Sequence, residues 1–534
     1  MNRSYPLYEL PHADSLKQMI WRQATQKPDR VAFRFRQGKV IAQKTVAEFW
    51  NDVLAFGTWL EHEGIRQTHV ALVAPNSYMW LVYYFAVING SNVIVPIDKD
   101  LPAGELCQLL HLSDSTVVIC ADRIAPLLRD SGCRVIALKE AEAALKKGQE
   151  YLAAGETAYR DFEPDVNRMA TIVFTSGTTG ISKGVMLSQA NILADINTGC
   201  KLFTPMGDSL SVLPFHHMFG LVVSLMMLFN WEVTAFINTS LRYLLPDFKE
   251  SKPVTTMLVP LHIETFYKMV MENAKKSGKY KKLCMAMKLG RLLKAIGIDV
   301  RKKLMREVRE AFGGRLEYIV VGGAVLDPFY EREFEAWGIT LIVAYGATEC
   351  SPGIACGRNH YHHTGSVGLP ISANEIRIAP DGEVLIRGEN VMSGYYHNEE
   401  ATREALKDGW YASGDIGYMD DDGFLYLTGR KKNLIILSDG ENVSPEKLEN
   451  GINRLEGVCE TMVYEEDHAI VAEIFPEKEY LGKQEWFDEQ VNKYNDTLPP
   501  TQRIRKVRLR DVEFPKNTSR KILRYKVGKE NDHV

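Results

Sequence analysis

Little in this chain points outside the soluble globular class. The eight cysteines stand apart, at 107, 120, 133, 200, 284, 350, 356 and 459, and no two form a C-x-x-C pair. That excludes the usual thiolate metal motifs, and in a chain of 534 residues it is not a disulfide framework, so a reducing cytoplasm is expected. No apolar run reaches the roughly 18 residues that suggest a membrane span, and the most apolar stretch, Leu221 to Trp231, stops well short. The first residues, MNRSYPLYELPHADS, lack the apolar segment of a secretory signal. There is no low-complexity tract and no strong internal repeat. A net charge of −4 gives no global field that would draw nucleic acid. What remains is 45% hydrophobic and 25% charged, the composition of a globular protein long enough for two or more domains.

One glycine-rich loop breaks the plainness. In TIVFTSGTTGISKGV, residues 171 to 185, an apolar strand runs into a loop of Gly, Ser and Thr followed by a lysine. Small residues with many donors let a backbone approach phosphates. The Walker pattern, however, needs a glycine at 182 and a hydroxyl at 184, and here Ser182 and Gly184 flank Lys183. A Walker-type phosphotransferase or ATPase is therefore the disfavoured alternative.

Elements alternate along the first half. HVALVAP, NVIVPI and TVVIC read as short buried strands, with a helix from a Ser77 cap to Ile88 and another over LPAGELCQLLHLS. That pattern predicts a parallel sheet with covered faces. Strands at 171, 254–260, 316–323 and 340–346 repeat it, the last three ending in Gly or Pro where loops leave the carboxyl edge. After about residue 365, short strands with Asp-Gly turns suggest a small β unit, and from about 432 a separate mixed unit follows. VRLRDVEF, with period-two alternation, reads as one of its strands. Residues 275–309 hold thirteen Lys or Arg against Asp299 and Glu307, interleaved with Leu283, Met287, Leu292, Leu293, Ile296 and Leu304. Such an amphipathic basic region is either a solvated helical face or a contact with an anionic membrane surface.

Downstream of the loop come LPFHHMFG (213–220), VGGA (321–324), YGATE (345–349), GWYASGD (409–415), GRKKN (429–433) and PKNTSRK (515–521). In that order they resemble, over about residues 30 to 527, the acyl-adenylate-forming (AMP-binding) superfamily, which cleaves ATP between its α and β phosphates. The resemblance implies an α/β fold: a large N-terminal domain of two doubly wound sheets plus a small β-barrel, residues 1–430, and a small mobile α+β C-terminal domain, 431–534.

It also implies roles. Thr175, Ser176, Gly177, Thr178, Thr179, Gly180 and Lys183 match the phosphate loop. Tyr345 and Gly346 match the adenine site, Thr348 an α-phosphate contact and Glu349 the Mg²⁺ ligand. Gly322, Gly323 and Ala324 match a backbone passing close to the nucleotide, and Asp415 and Arg430 the ribose contacts. Lys521 matches the lysine that stabilises charge on the attacked α phosphate. Lys432 matches the hinge about which the small domain swings. His216, His217, Phe219 and Gly220 fall where the family lines its acid site; His217 meets or admits the carboxylate, or is an ordinary core histidine. His360, His362 and His363 lack metal-ligand spacing and read as a loop.

Two departures stand out: Ser182 where Pro is common, and Ser-Arg-Lys at 519–521 in place of Thr-Gly-Lys. The latter, with LSDGENVSPEKLE (437–449), resembles the bacterial long-chain acyl-CoA synthetase branch. The apolar stretches 215–229 and 259–270 are expected to line the acid pocket, favouring medium to long alkyl chains at about 0.8 kcal/mol per buried CH₂. An aryl acid is the alternative substrate. The implied acceptor is CoA, with an acyl carrier protein as the alternative. A catalytically dead acyl-adenylate-binding module is disfavoured because Glu349, Asp415, Arg430 and Lys521 are all present.

Overall fold

A computed structural model describes residues 7–175, 182–199, 201–437, 442–516 and 522–527. The phosphate-loop residues Ser176, Gly177, Thr178, Thr179 and Gly180, and Lys521, lie outside the described residues.

The first sheet has seven strands, in the order Gly394–Tyr395, Lys183–Ser188, Met169–Thr175, Val93–Pro96, His69–Val73, Ser115–Cys120 and Arg134–Ala137. From Met169–Thr175 onward all neighbours are parallel. Because successive side chains of a strand face opposite sides, each of these strands must feed two cores. Val70 and Leu72 enter a core with the helix Tyr78–Ile88, whereas Ala71 and Val73 enter one with Leu106, Leu109 and Leu110 of the helix Ala103–Leu112. The helix Tyr78–Ile88 is apolar all round because it is buried all round. Ser77 starts it as expected, its Oγ accepting from Trp80 N at 3.1 Å.

The second sheet has nine strands, ordered Leu369–Pro370, Gly353–Cys356, Thr340–Gly346, Tyr318–Val321, Thr255–Leu258, Ser209–Ser211, Ala235–Ile237, Val31–Gln37 and Val40–Thr45. Thr255–Leu258, Tyr318–Val321 and Thr340–Gly346 are parallel neighbours, so their carboxyl ends open side by side. A five-stranded antiparallel sheet stands where the small β unit was expected, with Trp410–Met419 pairing both Glu383–Gly388 and Leu425–Arg430. Beyond it, Val458–Glu466, Ala469–Pro476 and Lys506–Leu509 make a three-stranded sheet. Only the front of VRLRDVEF is strand.

That last sheet and the helices Pro445–Ile452 and Gln484–Asn495 close a core of their own, with Leu448, Val463, Ile474, Phe487 and Val491 inside. No apolar cluster of the described residues joins this core to the larger domain. Across the boundary, Arg454 Nε meets Asp327 Oδ2 at 3.2 Å, and Lys268 Nζ donates to Val458 O at 3.2 Å. Among the described residues, no helix is long and apolar enough to cross a membrane.

The basic segment is helical over Tyr280–Ala295, then short helices cover Arg301–Leu304 and Arg306–Ala311. The apolar residues expected to interleave with the charges do not all face outward: Met287 is buried and Leu283 half-buried against the second core. Of those expected, Leu292, Ile296 and Leu304 are exposed, and Tyr280, Met285, Leu289 and Ile298 are exposed with them.

Candidate active site

The strand Met169–Thr175 turns back into Lys183–Ser188 with Thr175 opposite Lys183, and Thr175 Oγ1 donates to Lys183 O at 3.5 Å. The two anchors of the glycine-rich loop therefore sit side by side. Lys183 Nζ lies 4.9 Å from the ring centre of Tyr395, and Tyr395 Oη donates to Glu349 Oε1 at 2.9 Å. One tyrosine thus joins the end of the phosphate loop to the proposed metal carboxylate. Burial and the Glu349 carboxylate both push the Tyr395 hydroxyl well above its ordinary value, so it stays a donor. Sequence reasoning passed over Tyr395. The signal was SGYY, whose first tyrosine pairs with Val185 at the edge of the loop-bearing hairpin.

A second group forms at the end of Thr340–Gly346. Tyr345 is buried and its Oη donates to Asp415 Oδ2 at 2.5 Å. Arg430 Nε meets Asp415 Oδ1 at 2.8 Å, because Asp415 and Arg430 are register partners in adjacent strands. Arg430 Nη1 also donates to Ser413 O at 3.1 Å. Burial, followed by the Asp415 carboxylate, raises the Tyr345 hydroxyl well above its usual value. The three residues taken from three separate motifs form one hydrogen-bonded unit.

The third group is apolar. A Cβ on Gly322 would meet Phe219 Cζ at 3.1 Å and Ala344 O at 3.1 Å, so the strand end lies tight against the Phe219 ring. Gly323, at φ +83°, and Ala324 are exposed beside it. Phe219 opens a π-helix, Phe219–Met226, an uncommon form that concentrates at functional sites. Gly220 is needed there: a Cβ would stand 2.1 Å from Pro214 O. The half-buried rings of His216 and His217 lie 4.2 Å apart, with His216 Nε2 3.6 Å from Asp98 Oδ2. Burial lowers the His216 pKa against the pull of Asp98.

The expected pocket lining narrows in one place. Along 259–270, Ile263, Phe266 and Val270 share a face of the helix Pro260–Lys276 that packs into the second core, whereas Val259 lies where a Cβ on Gly323 would meet its Cγ1 at 3.5 Å. Thr348 and Glu349 lie on the 3-10 turn Thr348–Cys350, and Gly346 is exposed just before it. Lys432 is exposed on the turn Lys431–Asn433 at the end of the five-stranded sheet. His363 anchors its loop, with Nδ1 3.1 Å from Asp420 Oδ2 and its ring stacked on Phe424.

A hairpin bearing a glycine-rich loop, a paired carboxylate and arginine at a strand end, and an apolar cluster around Phe219, Val259 and Ala344 suit a nucleotide-dependent α/β enzyme. Residues 20–396 match the AMP-binding enzyme family, and the chain belongs to it. It is 32% identical over 472 residues to a long-chain-fatty-acid–CoA ligase, FadD15, of Mycobacterium bovis, covering 82% of this chain and 78% of that one. A long-chain-fatty-acid–CoA ligase of Haemophilus influenzae is 26% identical over 569 residues, covering 96% and 94%. The fold matches the anthranilate CoA ligase AuaEII in complex with anthranoyl-AMP at a TM-score of 0.79 and 18% identity, covering 98% of each chain. It also matches the o-succinylbenzoate CoA synthetase of Bacillus subtilis in complex with OSB-AMP at 0.76 and 21%, covering 95% and 97%.

Proposed function

We propose that this chain is an AMP-forming acid–CoA ligase acting on medium- to long-chain fatty acids in the cytoplasm. The observation that carries the reading is the juxtaposition of Lys183, Tyr395 and Glu349 with the Tyr345–Asp415–Arg430 unit, in a chain whose curated relatives are long-chain-fatty-acid–CoA ligases. Thr175 to Gly180 and Lys183 hold the β and γ phosphates, Tyr345, Gly346 and the backbone at Gly322 to Ala324 border the adenosine, and Asp415 with Arg430 takes the ribose hydroxyls. Thr348 meets the α phosphate. Glu349 suits a Mg²⁺ ion that rides on the phosphates, since it offers one hard carboxylate already oriented by Tyr395. Bound there, Mg²⁺ would neutralise charge on the phosphate oxygens.

The apolar side chains around Phe219, Gly220 and Val259 face the acid, and His217 meets its carboxylate. Lys521 stabilises the charge that builds as the carboxylate attacks the α phosphorus, and this favours the transition state over the ground state. Lys521 lies in the unit 431–534, which we read as swinging about Lys432 to serve adenylation and then thioester formation. The polar contacts Arg454–Asp327 and Lys268–Val458 support a boundary near 430, since they part without uncovering a shared core. The seven described cysteines are free, in keeping with a reducing compartment. The basic segment 275–309 we read as meeting a membrane surface. An aryl acid is the second reading of the substrate, supported by the fold match to an anthranilate ligase; an acyl carrier protein is the second reading of the acceptor.

Pyrophosphate release across acids from acetate through aryl acids to palmitate, with and without CoA, tests the proposal. Acyl-CoA and AMP from C8 to C18 acids, formed only with CoA, are expected. Turnover confined to aryl acids would overturn the substrate, and CoA-independent adenylate formation the acceptor.

A further inference from the structure

We propose that the outer face of the helix Tyr280–Ala295 docks on an anionic lipid bilayer. This rests on, and sharpens, the reading of 275–309 as a membrane-facing segment. At 100° per residue, positions 285, 289, 292 and 296 fall within about 60° of arc. The side chains there are Met285, 70% exposed, Leu289, 44%, Leu292, 64%, and Ile296, 66%, a single apolar stripe held out in water. Lys282 flanks it on one side and Lys281 and Lys288 on the other, and these three lysines form no ion pair among the described residues. The basic residues on the protein-facing side behave differently: Arg291 and Lys294 are paired with Glu333 and Glu335 of the helix Pro328–Ala336. The helix therefore spends one set of cations on its own domain and leaves a second set, level with exposed apolar side chains, with no direct ion pair among the described residues, Lys282 acting on Glu307 only at longer range.

Charge decides the occupant. Of the thirteen cations of 275–309, Lys276, Lys279, Arg291, Lys294, Arg301, Lys302 and Arg306 are ion-paired among the described residues, so the uncompensated positive charge is carried by the others, Lys281, Lys282 and Lys288 beside the stripe among them. A two-fold contact with a second copy would set these lysines against each other. A stripe of exposed apolar side chains with flanking lysines suits a fluid, negatively charged headgroup layer into which side chains sink.

Co-flotation of the full chain with vesicles of phosphatidylcholine alone, or with phosphatidylglycerol added, tests this. Partition onto the anionic vesicles, weakened by salt, is expected. Lys281→Gln/Lys282→Gln/Lys288→Gln should lower it about 100-fold, at about 1 kcal/mol per lysine. Met285→Ser/Leu292→Ser/Ile296→Ser should lower it at least about 10-fold. Both should keep turnover on a water-soluble C8 acid without vesicles, which reports on the ligase reading separately. Equal binding to neutral vesicles, binding unchanged in either variant, or serine-sensitive dimerisation in place of vesicle binding would overturn the proposal.

A different observation carries a second inference: Asp195 is a neutral carboxylic acid that positions the turn bearing Glu349. Asp195 lies on the helix Gln189–Gly199, fully buried, and its Oδ2 accepts from Gly353 N at 3.2 Å. Beside it, Asn390 Nδ2 donates to Cys350 O at 2.8 Å and Gly353 O at 2.7 Å, and Ser351 Oγ donates to Asn390 O at 2.8 Å. These bonds hold the backbone immediately after Glu349. Yet Asp195 Oδ1 and Asn390 Oδ1 are both buried without a hydrogen-bond partner. A buried anion with no cation beside it is costly, and a proton on Asp195 removes the charge while keeping the bond from Gly353. Burial raises the Asp195 pKa to about 7, in the same direction, against the bonds from Gly353 N and the Asn390 side chain, which favour the anion.

An amide has the shape of the neutral acid, so Asp195→Asn should stay within about twofold of the parent in both kcat and the Mg²⁺ concentration at half-saturation. Asp195→Ala should raise that Mg²⁺ concentration about 10-fold with the KM for the acid unchanged, as expected when support behind a metal ligand is lost. An Asn variant as damaged as the Ala variant would mean that the anion is needed, and an unaffected Ala variant would remove the positioning role. If the Ala variant does not fold, the Asn variant alone decides. The inference rests on Glu349 facing the metal; if Glu349→Ala left Mg²⁺ dependence intact, that reading would fail first.

Discussion

Tyr395→Phe isolates the bond between the loop-bearing hairpin and Glu349. The substitution deletes the hydroxyl that donates to Glu349 Oε1 at 2.9 Å and keeps the ring, 4.9 Å from Lys183 Nζ. A hydrogen bond to a charged group contributes about 1.5–3 kcal/mol, equivalent to about 10- to 150-fold. Glu349 is half-buried, so water replaces part of the lost bond and the lower end applies. The expected result is about a 10-fold rise in the Mg²⁺ needed for half-maximal pyrophosphate release, with the KM for the acid unchanged. Tyr395→Leu, which also removes the ring beneath Lys183, should be worse in the KM for ATP. Mg²⁺ titrations at saturating acid measure the first effect and ATP titrations the second. An unaltered Mg²⁺ requirement in the Phe variant, or a loss shared equally with the acid KM, would refute the reasoning.

Lys521→Ala should abolish adenylation while thioester formation from supplied acyl-adenylate continues; equal loss in both half-reactions would sink the assignment. Glu349→Ala should weaken Mg²⁺-ATP use specifically, read as a shifted magnesium dependence. Gly220→Ala would put a methyl 2.1 Å from Pro214 O, so the π-helix must shift, and acid turnover and melting temperature should fall together. Burial raises the Glu264 pKa to about 7, so the folded state keeps a proton that the unfolded chain releases near its ordinary value of 4.5. Stability from this group is therefore present at low pH and lost as pH rises through about 7. Melting of Glu264→Gln should exceed the parent by more at pH 8 than at pH 5, and a constant difference would count against it.

The buried strands of the parallel sheets were the most legible part of the sequence. Runs such as HVALVAP and TVVIC are apolar on both faces, and only a sheet covered on both sides uses that pattern, as the split of Val70 and Ala71 between two cores bears out. The motif residues Tyr345, Asp415 and Arg430 were legible one at a time, but their hydrogen-bonded union was not, because it brings the Asp415–Arg430 hairpin against Tyr345 of another sheet, 70 residues before Asp415. Tyr395 was missed for the same reason. The π-helix was hidden as well: FGLVVSLM reads as any buried helix, and only the close approach at Gly220 fixes its widened turn. In 275–309, counting apolar residues could not tell Met287, turned inward, from Met285, turned out.

The closed core of the smaller unit has a thermodynamic consequence. If that unit changes its docking during the cycle, what separates is ionic and polar, Arg454 from Asp327 and Lys268 from Val458, with no cluster of oil-like side chains brought into water. Such a rearrangement lacks the large heat-capacity increase that exposing an apolar core would bring, so the balance between its two positions should respond to temperature less steeply than unfolding does. Ionic strength is the variable that shifts it.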